Sequence, residues 1–147
     1  MTEFVLNAQS PVGNRPRLSV TAAIIRKDGR ILLCQRPEGK NCALLWEFPG
    51  GKIEPGEQAE ACVIRECREE LDVTLRVIRR YGEVVCDYPD RTVDLQFFVC
   101  EIAQGEPRRK EHAALAWAHP QELAGYSFCP ADAKMLREYG IVDALRT

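Results

Sequence analysis

The spacing of apolar and polar positions changes period several times along this 147-residue chain. Residues 18–26 and 31–35 are rich in Val, Thr, Ile and Leu. They are joined by Lys27-Asp28-Gly29-Arg30, and Asp-Gly between β-branched runs predicts an antiparallel hairpin. After a polar loop at 36–40, residues 44–48 read as a short strand entering a glycine turn. From 58 to 71 the period lengthens to that of a helix, with Ala59, Val63, Ile64, Cys67 and Leu71 on one stripe. Residues 74–87 and 92–103 return to strand patterning around Tyr88-Pro89-Asp90-Arg91, a turn with proline in second position, which predicts a second hairpin. A polar loop at 104–109, a short strand at 114–118 and a helical turn at 120–123 follow. The chain closes on an amphipathic helix at 130–144, with Met135, Leu136, Tyr139 and Val142 inward and Gly140 near a break. Strands, helix, strands, helix in that order predict an α/β fold, a mixed sheet covered by helices on both faces.

Residues 1–16 carry Pro11, Gly13, Asn14 and Pro16 and show no sustained period, so they read as a loosely ordered tail before one domain at 17–147. With 46% hydrophobic residues the chain is long enough to bury a real core. The net charge of −2 and pI near 5.8 speak against a nucleic-acid polymer as partner, since counterion release needs a basic surface. The apolar start Phe4-Val5-Leu6 is too short to cross a membrane or to form a signal core. Seven cysteines, an odd count without a C-x-x-C pair, predict a reduced, cytoplasmic chain in which most of them fill the core. His112 and His119 are not spaced with cysteines as zinc ligands would be. Small anionic ligands remain, in a monomer or a homodimer, and these need only a local positive cluster and a metal.

The chemistry concentrates in Trp46 to Val73, WEFPGGKIEPGEQAEACVIRECREELDV. On a helix Glu66, Glu69 and Glu70 fall within a sector of roughly 100°. Three carboxylates so crowded raise one another's pKa unless a divalent cation neutralises them. Magnesium, with manganese as the substitute, suits an oxygen-only set that shares the ion with substrate phosphates. Charge runs alone are usually solvated helix faces, but Pro49-Gly50-Gly51 and Pro55-Gly56 set a tight backbone turn just ahead of this one, which a plain surface helix does not need.

Gly51, five residues, Glu57, seven residues, then Arg65-Glu66-Cys67-Arg68-Glu69-Glu70-Leu71-Asp72-Val73 resembles the signature of the Nudix hydrolases. It departs at two positions: Cys67 stands where an aliphatic residue is usual, and Asp72 replaces a helix-ending glycine. A buried thiol serves as a small hydrophobe, and Asp tolerates a left-handed backbone at a cost on the order of 1 kcal/mol. Trp46 to Glu54, Pro89-Asp90-Arg91, Gly105-Glu106-Pro107 followed by Lys110-Glu111, and Pro130-Ala131-Asp132 are similar to the MutT-type branch of nucleoside triphosphate pyrophosphohydrolases. The resemblance implies a Nudix-type α/β/α sandwich and a small-molecule nucleotide substrate.

It further implies that Glu66 and Glu70 hold the metal with the Gly50 carbonyl, that Glu69 is either another ligand or a carboxylate supporting them, and that Glu57 and Arg65 pair to orient them. Either Glu66 or Glu111 is the general base, and Glu111 is a further ligand candidate. Arg36, Lys52 and Arg91 are candidates to grip phosphate or a base edge. Phe48 reads equally as core or as a stacking platform. Asp132 resembles the corresponding position of CTP-type and modified-cytidine pyrophosphohydrolases, and an ionised carboxylate there would accept from the cytosine 4-amino group. The favoured reading is Mg²⁺-dependent cleavage of a nucleoside triphosphate, cytidine nucleotides preferred, to monophosphate and pyrophosphate. The alternatives are an 8-oxo-dGTP sanitising enzyme, another Nudix diphosphate hydrolase, or a nucleotide-sensing domain that binds without cleaving.

Overall fold

The computed structural model describes residues 15–146. The expected tail lies outside that range except for Arg15 and Pro16, which are docked: Arg15 donates to the Tyr88 carbonyl, and the Pro16 carbonyl accepts from the Thr92 N–H at 2.9 Å.

The sheet is built around β1 (Arg17–Lys27), which turns at Asp28-Gly29 into β2 (Arg30–Gln35) as the hairpin pattern predicts. β3 (Trp46–Glu47) continues from β2, and β4 (Gly50–Lys52) returns to pair antiparallel with β1. β5 (Thr74–Tyr88) and β6 (Arg91–Gln104) form the second hairpin, and β6 runs parallel to β1 from Arg17↔Thr92 to Ile25↔Cys100. β7 (Ala114–Ala118) pairs with β2. The sheet is therefore mixed, in the order β3-β2-β1-β6-β5.

Alternation along each central strand feeds two cores. Ala22 and Ile24, Ile31 and Leu33, and Phe97 and Val99 face one side; Ala23 and Ile25, Leu32 and Cys34, and Phe98 and Cys100 face the other. The first face is covered by α2 (Pro130–Tyr139) through Met135 and Leu136, the second by α1 (Ala59–Leu71) through Val63, Cys67 and Leu71. Covering both faces is why these strands read as nearly unbroken apolar runs. Among the described residues no helix is long and apolar enough to cross a membrane.

Three expectations need correction. The strand at 44–48 shrinks to Trp46–Glu47, because Leu44 lies in a turn at φ 62°. The glycine turn is itself a strand: Gly50 pairs with Ala22, and a Cβ at Gly50 would stand 1.9 Å from the Thr21 carbonyl oxygen. Finally, the last helix ends at Tyr139, where Gly140 adopts φ 70°, and resumes only as a 3₁₀ turn, Val142–Leu145. Val142 is exposed rather than inward. Tyr139 instead lays its ring over Gly82 and bonds the Glu83 backbone through its hydroxyl, which masks part of the β5 edge.

Candidate active site

α1 starts after Gln58 and stops at Asp72, whose φ of 61° and ψ of 38° are the left-handed values expected at that position. Between those limits the helix turns its apolar stripe inward and its carboxylates toward β4. Gly51 matters here, since a Cβ on it would stand 2.3 Å from the Glu66 carboxyl carbon. The absence of a Cβ leaves the Glu66 carboxylate room to lie against the strand.

Arg65 ties the loop to the helix. Its Nε and Nη2 donate to Glu57 at 2.7 and 2.9 Å, Nη2 also reaches the Lys52 carbonyl at 3.1 Å, and Nη1 reaches Glu66 at 3.1 Å and Glu69 at 3.4 Å. Glu57 in turn accepts from the Glu54 N–H at 3.0 Å. The Arg65 bond holds the Glu57 carboxyl down to about 2, and the same bond raises the guanidinium further.

Glu70 is the opposite case. Burial, then the charges of Glu47, Glu66 and Glu111, push its carboxyl up to about 9. Burial also raises Glu66, which lies within hydrogen-bonding reach of Glu70, so the pair retains a proton at neutral pH. Glu70 Oε1 is buried without a hydrogen-bond partner, and His112 Nε2 stands 3.8 Å away. Among the described residues no three His, Cys, Asp or Glu side chains converge closely enough to enclose an ion, because Glu66 and Glu69 both lean on Arg65. The donor set nevertheless fits a hard divalent cation: it is all oxygen, and its innermost member presents an acceptor without a hydrogen-bond partner among the described residues.

These carboxylates form one wall of a cavity of about 320 Å³. Gly50, Gly51, Lys52, Glu66, Glu69, Glu70 and Glu111 line the polar end; Phe48, Tyr88, Val93, Leu95, Cys129 and Ala131 supply apolar wall, with Arg36 and Asp132 among them. Glu111 sits on the loop before β7, which is pinned by Arg108 N–H to the Leu71 carbonyl and by Ala113 N–H to the Gln35 carbonyl, each at 2.8 Å. Glu57 and Arg65 stand behind the wall. Phe48 is core: 3% exposed, stacked on Phe128 at 5.9 Å and edge-on to Phe97, it shows the cavity only part of its surface. Arg91 does not line the cavity, and its guanidinium bonds Asp90 at 2.9 Å in the β5–β6 turn.

Asp132 lines the cavity in a desolvated setting. It is 5% exposed, its Oδ1 accepts from the Phe48 N–H at 3.0 Å, and burial followed by the Glu47 charge raises it well above the carboxylate range. Burial thus favours the protonated form, and with Oδ1 engaged the acid hydrogen of that form falls on Oδ2.

Glu47 and His112 were not singled out from the sequence. Glu47 Oε2 lies 3.2 Å from His112 Nε2, and Glu47 accepts from Arg36 Nη1 at 3.3 Å. The available signal was a lone charge between Trp46 and Phe48 in an apolar strand. Cys42 is the other omission: the Cys129 thiol bonds it and holds it down to about 7. Like the rest of the described cysteines it is free.

Comparison with known proteins identifies the family. The family model described as NUDIX domain matches residues 15–139. The chain is 38% identical over 133 residues to the CTP pyrophosphohydrolase of Escherichia coli K12, covering 88% of this chain and 96% of that protein. It is 34% identical over 120 residues to the 8-oxo-dGTP diphosphatase of Haemophilus influenzae, covering 81% and 88%. Among solved structures, the solution structure of the E. coli ORF135 protein superposes with a TM-score of 0.76 at 36% identity, covering 93% of this chain and 98% of that one. The crystal structure of a MutT NUDIX hydrolase from Burkholderia pseudomallei gives 0.76 at 28% identity, with 84% and 98% covered.

Proposed function

The chain belongs to the NUDIX domain family and is a Nudix pyrophosphohydrolase of nucleotides, and from that premise we propose that it cleaves nucleoside triphosphates to monophosphate and pyrophosphate with Mg²⁺, cytidine nucleotides being preferred. Nudix hydrolases generally use divalent metals. The observation that carries the metal part of the reading is the orphaned, buried Glu70 carboxyl among Glu47, Glu66 and Glu111 at the polar end of the cavity.

Glu66, Glu69, Glu70 and the Gly50 carbonyl would hold the ion, with Glu111 reaching it from the facing loop. When bound, it supplies Lewis-acid polarisation of the phosphates and an acidified water. Arg65, anchored on Glu57, fixes Glu66 on the helix surface, and the Gly51 backbone supports Glu66 from beneath. Lys52 offers a point charge to the phosphates, and Glu66 or Glu111 takes the proton of the attacking water.

The cytidine preference draws support from Asp132 and from the likeness to the CTP pyrophosphohydrolase. With Oδ1 committed to the Phe48 N–H, only the other oxygen can meet a base. In the protonated form that burial favours, it would donate to ring N3 of cytosine and accept from the 4-amino group, whereas an asparagine in the same pose would offer only N–H. The 8-oxo-dGTP diphosphatases, at 34% identity, are the competing reading.

The test compares kcat/KM for CTP, dCTP, 5-substituted dCTPs, dGTP and 8-oxo-dGTP, with Mg²⁺ and with EDTA, in the native protein and in Asp132→Asn. Cytidine nucleotides should lead, EDTA should abolish turnover, and Asp132→Asn should move the ranking at least tenfold, about 1.4 kcal/mol of differential transition-state binding. A native enzyme preferring 8-oxo-dGTP tenfold over every cytidine nucleotide, or an unchanged ranking in Asp132→Asn, refutes the base assignment.

A further inference from the structure

Arg36 and Asp132 come from opposite ends of the chain, yet the side chain and backbone that hold them belong to consecutive residues. Asp132 Oδ1 accepts from the Phe48 N–H, and Arg36 Nη1 donates to the Glu47 carboxylate at 3.3 Å. Arg36 is further constrained by its Nε, which donates to the Asn41 carbonyl at 2.6 Å. Those two bonds fix the guanidinium at two different edges, Nε–H on one and Nη1 on the other. Nη2 makes no bond among the described residues and is the end left for a ligand. Glu47 itself is held from the far side: β2 pairs with β3 on one edge and β7 on the other, and His112, just ahead of β7, places Nε2 3.2 Å from Glu47 Oε2. All three side chains are at most 17% exposed, so none can turn to water without leaving a buried charge or polar group unpaired.

We propose that Glu47 is a positioning residue of the nucleotide site: clamped between His112 and Arg36, its carboxylate sets the direction in which the Arg36 guanidinium enters the cavity, and through it the discrimination between bases. The inference rests on the reading of this cavity as a nucleotide site. Glu47 also lines the cavity and its charge bears on Glu70 and Asp132, but its carboxylate is committed to Arg36 and His112, and the route to base choice is the one through Arg36. The charge-assisted bond matters because a guanidinium held at both Nε and Nη1 fixes the orientation of its plane and hence of Nη2, and a neutral acceptor at Nη1 loosens it.

A double-mutant cycle separates this role from a merely structural one. In Glu47→Gln, the ratio of kcat/KM between the best nucleotide and the same nucleotide with the least favoured base should fall about tenfold. KM should rise while kcat stays within about threefold. Arg36→Gln should do the same, and Glu47→Gln added to Arg36→Gln should change discrimination by less than twofold, since the carboxylate has nothing left to hold. Glu47→Asp, which keeps the charge, should recover part of the lost discrimination. If Glu47→Gln alone is too unstable to assay, the double variant carries no unpaired buried arginine, and its comparison with Arg36→Gln still decides. Multiplying losses in the double variant, or a fall in kcat with discrimination intact, would overturn the proposal. The second outcome would assign Glu47 to the phosphate end through His112 and Glu70. A native enzyme that favours a base other than cytosine refutes the cytidine reading alone, and the cycle is then run on the favoured nucleotide.

Discussion

Glu70→Gln turns the most perturbed carboxyl of the site into a measurement. In the metal-free protein this group titrates near 9 instead of near 4.5, because it is buried beside Glu47, Glu66 and Glu111. The unfolded chain ionises at its ordinary value while the folded chain keeps the proton. Stability is therefore undiminished below pH 4.5, is lost progressively as pH rises, and reaches its full loss only above pH 9. At pH 7 the interval above 4.5 is 2.5 pH units, which at about 1.4 kcal/mol per unit is a penalty of about 3 kcal/mol. Glutamine has the shape and the donor of the protonated acid but never ionises, so the variant escapes that penalty. For a chain of this size 3 kcal/mol is roughly 10 °C in Tm. Melts in EDTA should show the two proteins nearly equal at pH 5 and Glu70→Gln more stable by about 10 °C at pH 7. Mg²⁺ should then raise the native Tm and leave that of the variant almost unmoved, while kcat of the variant falls by several orders of magnitude because a ligand is missing. A Tm difference that does not change with pH, or near-native turnover of Glu70→Gln in saturating Mg²⁺, would refute the reasoning.

Gly51→Ala should fold, since the Cβ meets a side chain that can swing, but it displaces Glu66 and should lower kcat/KM at least a hundredfold; kinetics and a melt on the same sample check both halves. Gly50→Ala drives a Cβ into the Thr21 backbone and should instead fail to yield soluble protein, so a stable Gly50→Ala would show that the β1–β4 pairing is looser than described. Glu57 is held near 2 chiefly by the Arg65 bond, so its contribution is present above pH 4.5 and disappears as pH falls toward 2. Glu57→Gln should therefore melt below the native protein at pH 6 and converge with it at the acid end, and parallel curves over that range would exclude the assignment.

What the chain's own pattern determined is what depends on neighbours in sequence. The hairpin at Asp28-Gly29, the helix from Gln58, the left-handed Asp72 and the common face of Glu66, Glu69 and Glu70 all follow from periods of two and 3.6 and from turn chemistry, which act within a few residues. The Glu57–Arg65 pair belongs with them, eight positions apart across one loop. The Phe48 ring, readable as either platform or core, became core only once Phe97 and Phe128 closed around it. Tertiary packing alone decided the rest. Glu47 meets His112 across 65 positions and Phe48 meets Asp132 across 84, and no period links residues that far apart. The crowding of Glu70 with Glu66 was legible on the helix, but the burial of Glu70 and Asp132 and the charge of Glu47 beside both came only with folding. The glycines show the division most clearly: Gly50-Gly51 reads as a turn by composition, yet forms a strand because β1 on one side and the Glu66 carboxylate on the other leave no volume for a side chain.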